Sequence, residues 1–151
     1  MTIRPATRED AEVVCAHRRA MFSDMGHRDT AAINDMAAQF LPWVERRLAS
    51  GEYLAWFVVA PDESVVAGVG IWLMDWPPHM AGPGKPRANI LNVYTQLEYR
   101  RQGLARRLME RALDWCRTRE IKTVILHASE EGRGLYESLG FRATNEMRLA
   151  L

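Results

Sequence analysis

The first half of the chain changes from helical segments to a strand pattern of hydrophobic residues. TIRPAT predicts a short first strand, and the stretch from Arg8 to Gly26 opens with acidic residues typical of a helix start. A second helical stretch runs from about Asp29 to Ala49, and we expect Pro42 to kink or split it. After Gly51, EYLAWFVVAPDESVVAGVGIWLMDW holds two β-rich runs joined by the turn PDES, which predicts a hairpin.

The second half alternates single strands with helices. Pro77 to Ala88 holds four of the seven prolines and predicts a long loop, and NILNVYTQL predicts the next strand. From Gly103 the apolar residues repeat every 3.6 positions, which predicts a helix. KTVILHAS predicts a strand, EEGRGLYESLG a short helix capped by Gly140, and FRATNEMRLAL one or two closing strands. This order predicts a mixed α/β (α+β) domain with six to seven strands and about four helices.

Composition limits the classes of function. The 151 residues suit one domain spanning 1–151, and the net charge of +1 argues against a chain built to coat nucleic acid or an acidic membrane. No apolar run approaches the roughly 18–20 residues of a membrane span, and the start lacks a signal-peptide pattern, so we expect a cytoplasmic protein. We expect Cys15 and Cys116 to be small buried hydrophobic residues rather than a disulfide or reactive thiols. The four histidines show no metal-ligand spacing, so no metal is expected.

The stretch EYRRQGLARRLMERALDWC, which begins at Glu98, has the features of an anion site. A helix N-terminus leaves its first N–H groups unpaired, and a glycine-containing turn adds further donors. Gly103 and the small Ala105 would let a phosphate approach the backbone, with Arg100, Arg101 and Arg106 around it. A solvated basic helix start beside a packing glycine would explain the same residues. Neither a nucleotide P-loop nor a dinucleotide fingerprint is present.

Two segments resemble the GCN5-related N-acetyltransferase (GNAT) superfamily. RRQGLA, from Arg100 to Ala105, matches its Q/R-x-x-G-x-G/A signature, and GLYESLGF, from Gly134 to Phe141, resembles its A-x-x-L-Y-x-x-x-G-F ending. The resemblance covers most of the chain from about Tyr53 onward. It implies a single acetyltransferase domain with a mostly antiparallel central sheet whose fourth and fifth strands splay apart.

The resemblance also implies acetyl-CoA as the co-substrate. Its pyrophosphate would bind the loop, its pantetheine arm would pair with the fourth strand, and the backbone N–H of Val93 would polarise the thioester carbonyl. Tyr136 would act as the general acid toward the leaving thiolate, although its ring could instead simply pack. The implied cofactor-binding residues are Val93, Tyr94, Thr95, Arg100, Arg101, Gln102, Gly103, Leu104, Ala105, Arg106, Ser129 and Tyr136.

The chain departs from the family pattern at two positions. Ser129 stands where an asparagine is common, which puts one contact to the cofactor in doubt because a hydroxyl reaches less far. Leu97 stands where a proline is common shortly before the pyrophosphate loop. Neither departure removes the main expected donors, which are backbone amides.

The acceptor site is less defined by the sequence. In this fold the first two helices and the loop before the fourth strand wall the acceptor pocket, and the aromatic and apolar residues there indicate a partly apolar acceptor. Direct transfer would need a base, and Glu98, Asp75, Asp24 and His27 have suitable chemistry, although each is more often a plain surface charge. The predicted substrate-binding residues are Phe22, Met25, Trp72, Asp75 and Trp76.

We therefore expect an enzyme that moves an acetyl group from acetyl-CoA to a primary amine by direct attack in a ternary complex. The alternative is a non-catalytic acyl-CoA-binding sensor or regulatory module. Nucleic-acid binding is disfavoured because Glu110 and Asp114 interrupt the arginines of the helix. The acceptor stays open among polyamines, amino acids, antibiotics and protein N-termini or lysines. The sequence does not determine the oligomeric state, and a homodimer is one possibility because dimers are common among small soluble enzymes.

Overall fold

The computed structural model describes residues 1–82 and 84–151. Short 3-10 turns lie at Arg8–Asp10 and Leu97–Tyr99. Pro83, which belongs to the predicted loop from Pro77 to Ala88, lies outside the described residues. The strands and helices are β1 (Thr2–Pro5), α1 (Ala11–Asp24), α2 (Thr30–Ser50), β2 (Tyr53–Val59), β3 (Val65–Met74), β4 (Arg87–Thr95), α3 (Leu104–Thr118), β5 (Val124–Leu126) and α4 (Glu130–Ser138).

The strands form one sheet in the order β1-β2-β3-β4-β5. Strands β1 to β4 pair antiparallel with one another, whereas β5 runs parallel to β4. The predicted α/β class with four helices is confirmed.

The prediction of six to seven strands is wrong, since residues 1–82 and 84–151 contain five. The predicted closing strands fall on 141–151, where no strand forms and every residue after Phe141 is exposed. Alternation of apolar residues is not enough for a strand, which also needs a partner edge and a layer that covers its apolar face. Met147 is 94% exposed, so no such layer covers this segment.

Helices cover both faces of the sheet. Helix α3 buries an apolar stripe, including Leu108 and Ala112, on the face formed by side chains such as Val66 and Ile90. Helices α1 and α2 cover the opposite face. Two apolar layers therefore enclose the sheet.

Helix α2 runs through Pro42 without a break, so of the two predicted effects of this proline, a kink or a split, the split is wrong. Phe40 and Val44 are buried against the sheet on either side of the proline. Burial of an amphipathic face supplies most helix stability in proteins, which here outweighs the hydrogen bond that proline cannot make. The helix ends at Gly51, whose φ of 78° suits glycine.

Candidate active site

A β-bulge interrupts the pairing of β3 with β4. Gly68 pairs with Tyr94 and Gly70 pairs with Leu91, so Asn92 and Val93 both lie opposite the single residue Val69. Asn92 has a φ of 55°, the left-handed region that asparagine tolerates better than most residues. The bulge bends β4 at the residue before Val93.

A buried hydrogen-bond network holds the bulge. Asn92 is 4% exposed. Its Oδ1 accepts a hydrogen bond from Nη1 of Arg18 at 2.9 Å, and its Nδ2 donates to the hydroxyl of Tyr53 at 2.9 Å. Gly70 makes room for this phenol, because a Cβ at position 70 would lie 2.0 Å from the Tyr53 hydroxyl oxygen. Burial raises the pKa of Tyr53 well above its usual range, so the phenol stays protonated.

Strand β4 extends beyond the short strand β5. They pair at only three positions, from Ala88 with Val124 to Ile90 with Leu126. Strand β4 then continues from Leu91 to Thr95 without pairing to β5. This gap exposes one edge of β4, next to the bulge, to an extended ligand.

Consecutive backbone donors line the turn into α3. The amides from Arg101 to Arg106 make no hydrogen bond within residues 1–82 and 84–151. Arg101 has a φ of 61° and Gly103 a φ of 76°. A Cβ built on Gly103 would meet nothing within 4 Å, so the space in front of the helix is open. Such a row of free amides at a helix N-terminus is suited to a phosphate.

The arginine side chains of this turn are mostly engaged with protein groups. Arg100 donates from Nε to the carbonyl oxygen of Thr95 at 3.0 Å and forms an ion pair with Asp24. Arg106 donates from Nη2 to Oγ of Ser138 at 2.7 Å. Both side chains therefore connect the turn to neighbouring helices, and the free donors of the turn are chiefly backbone amides.

Tyr136 and Ser129 lie in and beside α4. Tyr136 is 8% exposed, and its ring packs edge-on against Phe141 with centroids 6.1 Å apart. Burial raises the pKa of Tyr136, and its hydroxyl makes no hydrogen bond within the described ranges. Val93 packs against the same apolar cluster, so the two residues share one layer. Oγ of Ser129 caps α4 by accepting a hydrogen bond from the amide of Gly132 at 3.1 Å.

His17 is a buried residue that the sequence did not single out. It is 6% exposed, and its ring centroid lies 5.0 Å from that of Tyr94. A Cβ at Gly68 would lie 2.9 Å from Nδ1 of His17, so this glycine is needed for the ring to fit. Burial lowers the pKa of His17 to about 4, so the ring is neutral at neutral pH.

The predicted acceptor residues fall into two groups. Phe22 and Trp72 lie on the face covered by α1 and α2, and Phe22 packs beside Arg18. Asp75 and Trp76 follow Met74, which pairs with the start of β4. At a rise of about 3.3 Å per residue, the distance from Val69 in the bulge to Asp75 is about 20 Å.

The other predicted acceptor residues and base candidates lie nearer to the end of α1. Met25 follows α1 and is exposed, and His27 packs edge-on against Phe22. Asp24 and Glu98 are close enough to Tyr94 for their charges to raise the pKa of its phenol, after burial as the main cause. Among the candidate carboxylates, these two are therefore placed near Tyr94, toward the last part of β4.

The sequence analysis also missed Arg18, Tyr53 and Asn92. Asn92 left one signal, because it is a polar residue in the otherwise apolar run NILNV. Arg18 sits between polar neighbours in α1 and left none. Its partner Asn92 is 74 positions away in the sequence.

The part of the chain that the structure describes contains neither a metal-binding cluster nor a membrane-spanning helix. Within it, His, Cys, Asp and Glu side chains form no group of three that could hold a metal ion. No helix among residues 1–82 and 84–151 is long and apolar enough to cross a membrane.

Comparison with known proteins identifies relatives of the whole fold. The model of the acetyltransferase (GNAT) family matches residues 19–141. A GCN5-related N-acetyltransferase from Ralstonia eutropha JMP134 is 36% identical, with a TM-score of 0.91 over 99% of this chain and 97% of that one. Among curated proteins no match was found.

More distant solved structures share the fold. A protein from Clostridium acetobutylicum described as a predicted acetyltransferase, solved with acetyl-CoA, has 23% identity and a TM-score of 0.90 over 99% of this chain and 95% of that one. Glucosamine-6-phosphate N-acetyltransferase from Arabidopsis thaliana has 16% identity and a TM-score of 0.72 over 99% of this chain and 97% of that one.

Proposed function

Because the chain belongs to the GNAT family of acetyltransferases, we propose that it transfers the acetyl group of acetyl-CoA to a primary amine by direct attack in a ternary complex. Residues 1–151 would act as one N-acetyltransferase domain. The observation that carries the proposal is the row of unbonded amides from Arg101 to Arg106 beside the open edge of β4.

The free amides and the β4 edge fit the two parts of acetyl-CoA. The amides would hold the pyrophosphate, since a helix N-terminus favours negative charge. Val93, Tyr94 and Thr95 would hold the pantetheine arm, whose amides can pair with an unpaired strand edge. Acetyl-CoA supplies the activated thioester that makes acetyl transfer to an amine favourable.

Val93 and Tyr136 are suited to the chemistry of transfer. The N–H of Val93 lies in the bulge and would polarise the carbonyl that the amine attacks. The new C–N bond forms as the C–S bond breaks, and the protonated phenol of Tyr136 would give its proton to the leaving thiolate. The raised pKa of Tyr136 keeps that proton in place at neutral pH.

The amine must lose a proton during the transfer. Asp24 and Glu98 are the candidate carboxylates near Tyr94 in the last part of β4, and Asp24 is already paired with Arg100. Asp75 lies at the opposite end of the sheet from the bulge, which argues against its role as a base. We therefore propose that the proton leaves through water toward the end of α1 that carries Asp24.

A thermal-shift titration tests the cofactor site. Acetyl-CoA and CoA should raise the Tm of the wild type with the logarithm of their concentration, and ATP should not. Gly103→Glu should abolish the shift, because it puts a carboxylate in front of the amides. Gly51→Glu is the matched control, since Gly51 has a similar φ of 78° and a Cβ there also meets nothing within 4 Å.

Two results would count against this proposal. If no CoA species stabilises the wild type, the amides of the turn do not form the cofactor site. If CoA binds but no amine in a broad panel is acetylated, the non-catalytic sensor becomes the better description.

A further inference from the structure

Arg18 is a partly buried cation next to the bulge. Its guanidinium carbon lies 5.1 Å from the ring centroid of Phe22 and 4.6 Å from that of Phe40. Nη1 donates to Oδ1 of Asn92, the residue that precedes Val93. The guanidinium is therefore one hydrogen bond away from the backbone that is proposed to polarise the thioester.

No carboxylate balances this charge within the described residues. Arg18 forms no ion pair there, whereas Arg4 and Arg100 each pair with an aspartate. Nε of Arg18 is fully buried without a hydrogen-bond partner, and Nη2 makes no hydrogen bond within residues 1–82 and 84–151. Burial lowers the pKa of Arg18, which shows that its surroundings disfavour the charge. Burying a charge is costly unless an opposite charge or further hydrogen bonds offset it.

We propose that Arg18 binds a carboxylate of the acceptor, so that the acceptor is a small amine that also carries a carboxylate, such as an amino acid. This inference rests on the proposed function. A guanidinium N–H forms a charge-assisted hydrogen bond with a carboxylate, and Nη2 is the donor left for it, because Nη1 is bonded to Asn92 and Nε is fully buried. The aromatic rings of Phe22 and Phe40 flank the cation, which suits an acceptor with an apolar part.

A purely structural role is the competing explanation. The two rings and the Asn92 hydrogen bond could be all that Arg18 serves, since cation–π contacts also stabilise a guanidinium. The two explanations differ in what the acceptor carboxylate contributes. If Arg18 is purely structural, replacing it changes the rates of acidic and neutral acceptors equally. If Arg18 binds the carboxylate, replacing it lowers the rate of the acids relative to that of the amides.

The experiment compares amino acids with their primary amides as acceptors. For each side chain, the release of CoA gives kcat/KM for the acid and for the amide, expressed per neutral amine so that the different amine pKa values do not contribute. The wild type should prefer the acids by about 10- to 150-fold, the range of a hydrogen bond to a charged group. Arg18→Gln should bring the ratio close to one, because its amide can still donate to Asn92 but carries no charge. Arg18→Lys keeps the charge and should retain part of the preference.

Arg19→Gln is the matched control. Arg19 is the next residue of α1, and it is exposed and bonded to Oδ1 of Asn34 at 2.7 Å. Its replacement should leave the ratio of acid to amide unchanged. If Arg18→Gln does not fold, the wild-type ratio and the Arg18→Lys ratio still decide the matter.

The outcomes separate this inference from the proposed function. A wild-type ratio near one, or a ratio that survives Arg18→Gln, overturns the role of Arg18. Acetylation of neutral amines alone overturns it too and leaves the acetyltransferase proposal standing. If neither acids nor amides are acetylated although acetyl-CoA raises the Tm, the role of Arg18 falls, and the broad amine panel decides whether the acetyltransferase proposal stands.

Discussion

Burial of the neutral His17 ring should make the folded protein lose stability as the pH falls. The pKa of His17 is about 4 in the folded protein against a usual 6.5, because burial disfavours the charged ring. Between these values the unfolded chain takes up a proton that the folded chain does not. The contribution of His17 is therefore complete above about pH 6.5 and decreases until about pH 4. The total change is about 3 kcal/mol, and from pH 7 to pH 5 it is about 2 kcal/mol.

Urea unfolding of the wild type and of His17→Gln at pH 7 and pH 5 measures this effect. Other titrating groups act on both proteins and cancel in the difference between their free energies of unfolding. That difference should change by about 2 kcal/mol, with the wild type losing more stability at pH 5. A difference between wild type and His17→Gln that is equal at both pH values would refute the reasoning.

Three further substitutions test the leaving group and the packing of the bulge. Tyr136→Phe should lower kcat by about 10²- to 10⁴-fold while the thermal shift with acetyl-CoA stays as in the wild type, and an unchanged kcat would remove Tyr136 from the mechanism. Gly70→Ala should destabilise the protein by about 1–3 kcal/mol in urea unfolding, because its Cβ would overlap the Tyr53 hydroxyl. Gly134→Ala meets nothing within 4 Å and lies in α4, so it should stabilise the protein by about 0.4–1 kcal/mol. Equal effects of the two glycine replacements would contradict this account of the bulge.

Local patterns were sufficient to predict most of the helices and strands. The stripe that begins after Gly103 is a property of neighbouring residues, and the structure places helix α3 there. The resemblance to the GNAT family is confirmed by the match over residues 19–141. The prediction of closing strands was wrong because a strand needs a partner strand, and that partner is often distant in the sequence. The pattern of residues along 141–151 does not reveal whether such a partner exists.

The interior of the candidate site could not be predicted because its contacts join distant segments. Strict alternation along β4 would put Asn92 and Ile90 on the same face of the sheet. The bulge changes this, and Asn92 instead meets Tyr53 and Arg18 on the face covered by α1 and α2. Nothing near Asn92 in the sequence encodes the space that Gly70 leaves for the Tyr53 phenol. The same network brings the cation of Arg18 to the proposed reaction centre, so the feature that fixes the bulge is also the one that we expect to select the acceptor.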